Sequence, residues 1–271
     1  MILFIASKQD TAGMNIANHL IENYSFEKLS EHFQNNPVYS KTLHNKETKL
    51  LFVDNEIVNT QFLDALVNPE LMIFLSRHSS TSGIPTLSVH TSGNLSDAKF
   101  GGKPNTVSIS PAGAMKNALS EMAKQVNETK LDYEVSYECT HHGPSLPFSS
   151  MFVELGSSPK QWVDVEAAKV VADAAVAAVC ECSNCSAVVG IGGPHYNKKF
   201  TKLALNNELA FGHMIPKYAL EDIDIRIIHQ CVERTLEPVD SVILDWKGIK
   251  GEHKPKIVSA VESIGLSTEK V

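Results

Sequence analysis

The chain has no surplus of positive charge: 24 Lys and Arg stand against 31 Asp and Glu, a formal net charge of −7. That excludes a protein that coats long stretches of nucleic acid by neutralising phosphates, while leaving room for a small RNA footprint. No apolar run suits a membrane span, because the most helix-like one, 163–179, carries Asp164, Glu166, Lys169 and Asp173. The apolar start Met1-Ile2-Leu3-Phe4-Ile5-Ala6 has no basic residue before it and runs into Ser7-Lys8-Gln9-Asp10, so it reads as a first strand and not as a leader. Five cysteines, an odd number, argue for a reducing, cytoplasmic compartment and against a disulfide framework. Cys180, Cys182 and Cys185 form a C-x-C-x2-C cluster without the second ligand pair of a zinc module, and a structural role is preferred for them. Cys139 and Cys231 read as small core hydrophobes.

Several familiar motifs are missing too. Without a G-x-S-x-G elbow, the serines at 79, 80, 145, 157 and 158 are poor hydrolase nucleophiles. The run Gly190-Ile191-Gly192-Gly193-Pro194-His195 departs from G-x-G-x-x-G spacing, and Pro194 removes an N–H that a pyrophosphate would use. There is no P-loop, no H-E-x-x-H helix, no linker-like stretch and no fixed-period repeat, so residues 1–271 read as a single α/β domain.

What is present alternates. Strand patterns at 2–6, 50–53, 71–75, 86–90, 131–140, 151–155, 187–191, 208–212 and 239–244 interleave with helical ones at 12–24, 112–126, 160–182, 225–235 and 255–264. Such interleaving predicts a three-layer α/β/α sandwich around a mixed central sheet.

The stretch Glu138-Cys139-Thr140-His141-His142-Gly143-Pro144-Ser145 places a carboxylate and two adjacent imidazoles at the end of the 131–140 strand. Paired histidines on a strand-end loop suit metal-assisted hydrolysis or acid/base work, though they serve equally as loop residues that cap backbone groups. Of the eleven histidines, His78, His90, His141, His142, His195 and His213 lie at or just after the end of an apolar run. Strand ends of an open α/β sheet converge on one rim, so the six together predict a site there. Gly93, Gly143, Gly192 and Gly193 accompany these ends and let loop N–H groups approach an oxyanion or phosphate. Arg77, Glu154 and Lys217 fall on the same rim, while the clusters Lys198-Lys199-Lys202 and Lys247-Lys250-Lys254-Lys256 read as solvated lysines.

At this point the chain resembles the archaeal and plant type of D-aminoacyl-tRNA deacylase, the second, zinc-associated class of that activity. The resemblance rests on Ser76-Arg77-His78-Ser79-Ser80, Val89-His90-Thr91 with Gly93-Asn94, Thr140-His141-His142-Gly143-Pro144-Ser145 and Phe152-Val153-Glu154-Leu155-Gly156-Ser157-Ser158. It continues through Gly192-Gly193-Pro194-His195-Tyr196, Gly212-His213 with Pro216-Lys217-Tyr218, and Asp245-Trp246-Lys247-Gly248. The family pattern has Pro before the first glycine and Trp after Asn94, where this chain has Ser92 and Leu95.

The resemblance implies a fold like that of purine nucleoside phosphorylases and peptidyl-tRNA hydrolases. It also implies hydrolysis of the ester joining a D-amino acid to the terminal ribose of tRNA, with zinc as cofactor and tRNA as partner. A monomer with no membrane contact is expected. On that basis His78, His141, His142 and His195 form the pool of metal ligands, and His142, Glu138, Glu154, Lys217 and His213 are the catalytic candidates. Arg77, His90, Gly93, Gly192 and Gly193 are the substrate-binding candidates, and the loop from Ser92 to Asn105 is expected to form part of a flap facing tRNA. Two rival readings stand beside this one. One is a nucleoside phosphorylase-like or amidase enzyme acting on a small molecule; the other is a noncatalytic RNA- or partner-binding module, which the charge disfavours.

Overall fold

The structure is a computed structural model that describes residues 1–221 and 223–271. In chain order it contains β1 (Ile2–Ser7), α1 (Thr11–Asn23), β2 (Glu27–Phe33), β3 (Asn36–Leu43), β4 (Lys46–Val53), α2 (Leu63–Leu66), β5 (Leu71–Arg77), β6 (Thr86–His90), β7 (Gly93–Asn94) and β8 (Thr106–Val107). There follow α3 (Ala112–Thr129), β9 (Glu134–Tyr137), β10 (Ser150–Gly156), α4 (Pro159–Trp162), α5 (Val165–Ala177), β11 (Ser186–Ile191) and α6 (Lys198–Asn206). The chain closes with β12 (Leu209–Ile215), α7 (Ile225–Glu233), β13 (Val239–Leu244), α8 (Lys254–Glu262) and β14 (Ser267–Lys270).

The pleat of β1 shows how the layers arise. Ile2, Phe4 and Ala6 face one side, where Leu50, Ile73, Leu75 and the α1 residues Ile16 and Leu20 join them in one core. Leu3 and Ile5 face the other side, against Leu51, Val53, Met72, Phe74 and Phe152. A strand covered on both faces needs an apolar residue at every position, which is why 2–6 reads as a continuous run.

The α/β architecture agrees with the sequence, but the strands divide into two principal sheets. One has eight strands in the order β2-β3-β4-β1-β5-β10-β6-β9, mixed in direction, and the other runs β12-β11-β13-β14 with parallel pairs. The division falls at β9, which is shorter than the predicted 131–140. Glu138 still donates its N–H to the Val89 carbonyl of β6 at 3.0 Å, and from there the chain passes to the other sheet and its loop: Glu138 bridges Tyr196, the Cys139 N–H donates to the His195 carbonyl at 2.9 Å, and the Thr140 N–H donates to that of Met214 at 2.9 Å. Residues 138–140 are therefore the seam between the sheets. The helical layer spans it, because the core under α3 and α5 continues through Val188, Phe200, Phe211 and Ile243.

The predicted helix over 160–182 is two helices. Asp164, taken as a helical residue, is the N-cap of α5, accepting from the Ala167 N–H at 3.1 Å. Asp10 caps α1 in the same way, through the Gly13 N–H at 2.9 Å. The second helix ends at Ala177, and beyond it Cys182 and Cys185 are joined in a disulfide. The C-x-C-x2-C run is thus a local bridge beside one free thiol, Cys180, where the sequence had been read against a disulfide framework.

Candidate active site

The seam carries a cluster of buried ionisable side chains. Glu138 comes from the seam itself, Glu154 from β10, His78 from just past β5, His90 from the end of β6, and His195 from the loop after β11. Glu138, Glu154, His78 and His90 are all at most 4% exposed, so each needs a partner in place of water. The partners are one another. The two oxygens of Glu138 lie 3.1 Å from His78 Nδ1 and 2.8 Å from His195 Nε2, and Glu154 lies 3.5 Å from His78 Nδ1 and 3.6 Å from His90 Nε2. Tyr196 Oη sits 2.8 Å from His78 Nε2, and Tyr218 Oη sits 3.1 Å from His195 Nδ1 and 3.3 Å from Cys139 Sγ.

Charge follows from these contacts. Burial opposes ionisation of every group, but the imidazoles of His195 and His78 hold the Glu138 carboxyl well below the usual range, and those of His78 and His90 bring Glu154 down to about 2. Against the same burial, Glu138 and Glu154 raise His78 to about 10, and Cys139 and Glu138 raise His195 to about 10. At neutral pH the cluster thus pairs two carboxylates with two imidazoliums. His141 and His142 differ: burial and their imidazole neighbours lower His141 well below the ordinary histidine value and His142 to about 4, leaving both neutral.

These two rings join His90 in a second group. Ring centroids are 4.3 Å apart for His90–His141, 4.3 Å for His141–His142 and 5.0 Å for His90–His142, with Phe152 stacked on His90 at 4.8 Å. Each ring has Nδ1 against a backbone carbonyl: Thr91 at 3.1 Å for His90, Cys139 at 2.8 Å for His141 and Gly143 at 2.7 Å for His142. A carbonyl only accepts, so each Nδ1 carries the hydrogen, and in the neutral rings of His141 and His142 Nε2 keeps its lone pair. The three rings offer donor nitrogens within 4.8 Å of one another. His90 Nε2 is buried without a hydrogen-bond partner.

The backbone here is held by Gly93. Its N–H donates to the His142 carbonyl at 2.7 Å, and a β-carbon at this φ of +151° would lie 2.5 Å from Val107 Cα. His142 has a φ of 42°, a left-handed conformation that costs a β-substituted residue on the order of 1–3 kcal/mol, so that hydrogen bond fixes an otherwise disfavoured geometry.

Of the residues singled out in the sequence, His78, His141, His142, His195, Glu138, Glu154 and Arg77 line one cavity of about 550 Å³. His90 lies directly behind His141 and His142. Within the predicted ligand pool, His78 and His195 have both ring nitrogens engaged, whereas His90, read as substrate-binding, has one free. Arg77 is at the cavity wall but already paired with Glu56 at 2.9 Å. Gly192 and Gly193 shape the turn after β11, where Gly193 O accepts from the Lys217 N–H at 2.9 Å. Lys217 is exposed and outside the cavity lining; its neighbour Tyr218 reaches inward instead.

His213 is not brought to the cavity. β12 continues to Ile215, so His213 is a mid-strand residue on the far side of Thr140, whose hydroxyl donates to its Nδ1 at 3.0 Å, while Nε2–H points to the carbonyl of Ser108 at 3.1 Å. Burial lowers it to about 4, against an ordinary value of 6.5. The unfolded chain therefore takes up this proton first. The stabilisation is complete above pH 6.5 and is lost as the pH falls from 6.5 to 4, on the order of 3 kcal/mol. Thermal melts across that interval are expected to show a shallower decline for His213→Gln than for the natural chain, and equal slopes would refute the assignment.

Sequence reasoning passed over Cys139, Tyr196 and Tyr218. Cys139 is buried as a core residue would be, yet its sulfur faces His195 at 3.2 Å. The two tyrosines directly follow His195 and Lys217 in the chain, and that adjacency was the available signal.

Comparison with known proteins places this arrangement. The D-aminoacyl-tRNA deacylase family profile matches residues 65–269, a stretch that includes every group in the cluster. The D-aminoacyl-tRNA deacylase of Thermococcus kodakarensis is 39% identical over 275 residues and that of Pyrococcus abyssi 38%, each alignment covering 98% of both chains. The one from Methanosarcina mazei is 36% identical, over 98% of this chain and 90% of its own. A crystal structure of a conserved protein of unknown function superposes with a TM-score of 0.90 at 30% identity, covering 100% of this chain and 95% of that one. Similarity of that extent, carried across both sheets and the seam between them, means that the chain belongs to the D-aminoacyl-tRNA deacylase family.

Proposed function

We propose that the cavity hydrolyses the ester of D-aminoacyl-tRNA, releasing a D-amino acid and tRNA, with a zinc ion held by His90, His141 and His142. The observation that carries the reading is the cluster of three imidazoles, with His141 and His142 neutral, set beside a buried, ionised carboxylate at the edge of an open cavity.

The donor set fits zinc on its own chemistry. All three Nδ1–H groups are tied to carbonyls, which aims the three Nε2 atoms toward one another, and the Nε2 of His90 makes no hydrogen bond. Zinc bound there supplies Lewis acidity toward the ester carbonyl and makes a nearby water more acidic.

The remaining work belongs to the protein. Glu138 Oε1 lies 3.1 Å from His78 Nδ1, and Oε2 is held by His195 Nε2 at 2.8 Å. Glu138 accepts a proton as the water oxygen bonds to the carbonyl carbon, and returns it to the ribose oxygen as the ester C–O bond breaks. His195, held as a cation by Glu138, fixes the orientation of that carboxylate. Glu154 and His78 complete the charge balance, which keeps Glu138 ionised despite its burial.

The test is the rate of amino-acid release from matched D- and L-aminoacyl-tRNA. Release from the D-form at least about tenfold faster than from the L-form is expected. No release from the D-form, or turnover confined to free nucleosides or amides, would overturn the reading.

A further inference from the structure

A second cavity, of about 270 Å³, opens on the other side of the histidine pair. It shares Phe100, His141 and His142 with the first and is otherwise walled by Asn94, Lys99 and Tyr218, among others. Two cavities that meet at one pair of imidazoles suit a substrate with two unlike halves joined by the bond that reacts. We propose that the second cavity is a nucleoside subsite, in which the base of the terminal adenosine of tRNA stacks on Phe100 while the aminoacyl group occupies the first. The assignment rests on the deacylase reading of the same site.

Phe100 is 71% exposed, and among the described residues no large apolar side chain is more so. Such a side chain is usually found on a mobile surface, but this one is pinned. Its carbonyl accepts from the Gly143 N–H at 2.9 Å, and the Asn94 side-chain amide donates to the Gly101 and Lys103 carbonyls at 2.9 and 3.2 Å. Gly101 has φ +72° and sits so close to Val58 that a β-carbon would lie 1.8 Å from its carbonyl oxygen. The backbone on either side of the ring is therefore fixed one residue from the histidine pair's own loop. A backbone fixed in this way sets where the ring stands at the mouth of the site, which lowers the ordering cost of a stacking platform.

The walls assign the halves. Asp10, Glu56, Glu138 and Glu154 line the first cavity beside Arg77, His78 and His195, a set of paired charges that suits the polar aminoacyl group. The second has one cation, Lys99, beside one carboxylate, Asp97, and its main feature is the exposed rings of Phe100 and Tyr218, 71% and 60% accessible, which suit a flat uncharged base. The lysine groups elsewhere are already engaged: Lys198 pairs with Glu134 at 2.8 Å, Lys199 with Asp245, and Lys254 lies 4.4 Å over the Trp246 ring.

The test is Phe100→Ala beside Phe100→Trp, assayed on D-aminoacyl-tRNA. Loss of stacking is expected to raise KM about tenfold in the alanine variant with kcat within about twofold, and the tryptophan variant is expected to restore KM. An unchanged KM in Phe100→Ala, or equal impairment of both variants, would overturn the subsite. A calorimetric titration with AMP in the millimolar range separates this proposal from the deacylase reading. AMP is expected to bind the natural chain and to bind Phe100→Ala at least about tenfold more weakly. Failure of AMP to distinguish the two overturns the subsite whether or not deacylation is seen, whereas discrimination without deacylation leaves the subsite and removes the ester.

Discussion

Alanine at His142 is expected to lower kcat/KM for D-aminoacyl-tRNA by about a thousandfold, and to reduce the zinc retained after dialysis to well below one equivalent. Both outcomes follow from one geometry. His142 Nε2 has no partner in the cluster that could replace it, because His78 and His195 are each held at both ring nitrogens. His141→Ala is expected to match it in metal content. A chelator-treated natural chain should then show the same rate as His142→Ala, and zinc should restore only the former. Full activity in the metal-free chain would remove zinc from the mechanism. The assignment would then fall back on an imidazole base assisted by loop N–H groups.

Glu138→Gln is the second large effect. The change keeps shape and removes charge, so it separates positioning from ionisation. His78 would keep one carboxylate, Glu154, while His195, its side chain 30% exposed, would lose the Glu138 charge that holds its proton. His195 is therefore expected to shed that proton more readily. The titration of His195, followed by NMR, should therefore move down from about 10 toward the ordinary 6.5. The rate should fall by about a hundredfold or more, as for loss of a general base. Glu154→Gln, which leaves Glu138 and its His195 contact in place, is expected to cost less activity. If the two variants lose equal activity and His195 titrates as before, Glu138 has no special role.

The strands of the sheet interior were legible because burial on both faces writes itself as unbroken apolar sequence, as in β1, β5 and β11. The β2–β3 hairpin was not. Glu27–Phe33 is mostly exposed and carries no alternation to read. Helix α6 was missed for a related reason: only Phe200, Thr201 and Ala204 of its nine residues are buried, too few to mark a period. In the site, position at a strand end was a sound guide for His78, His90, His141, His142 and His195. It failed for His213, since the apolar run was read as ending at Gly212 while the strand continues to Ile215. Sequence also could not sort the five remaining imidazoles into cations and free donors. That distinction depends on which of them meets a carboxylate and which a carbonyl, a matter of ångströms and not of residue type.

The seam at residues 138–140 has a consequence for synthesis. His195, Tyr196 and Tyr218 come from the later part of the chain and the other cluster residues from the earlier part, so a nascent polypeptide that stops short of Tyr218 holds the carboxylates without the groups that orient them. The cluster is therefore complete only once residues 195–218 have been added and the two sheets meet at residues 138–140.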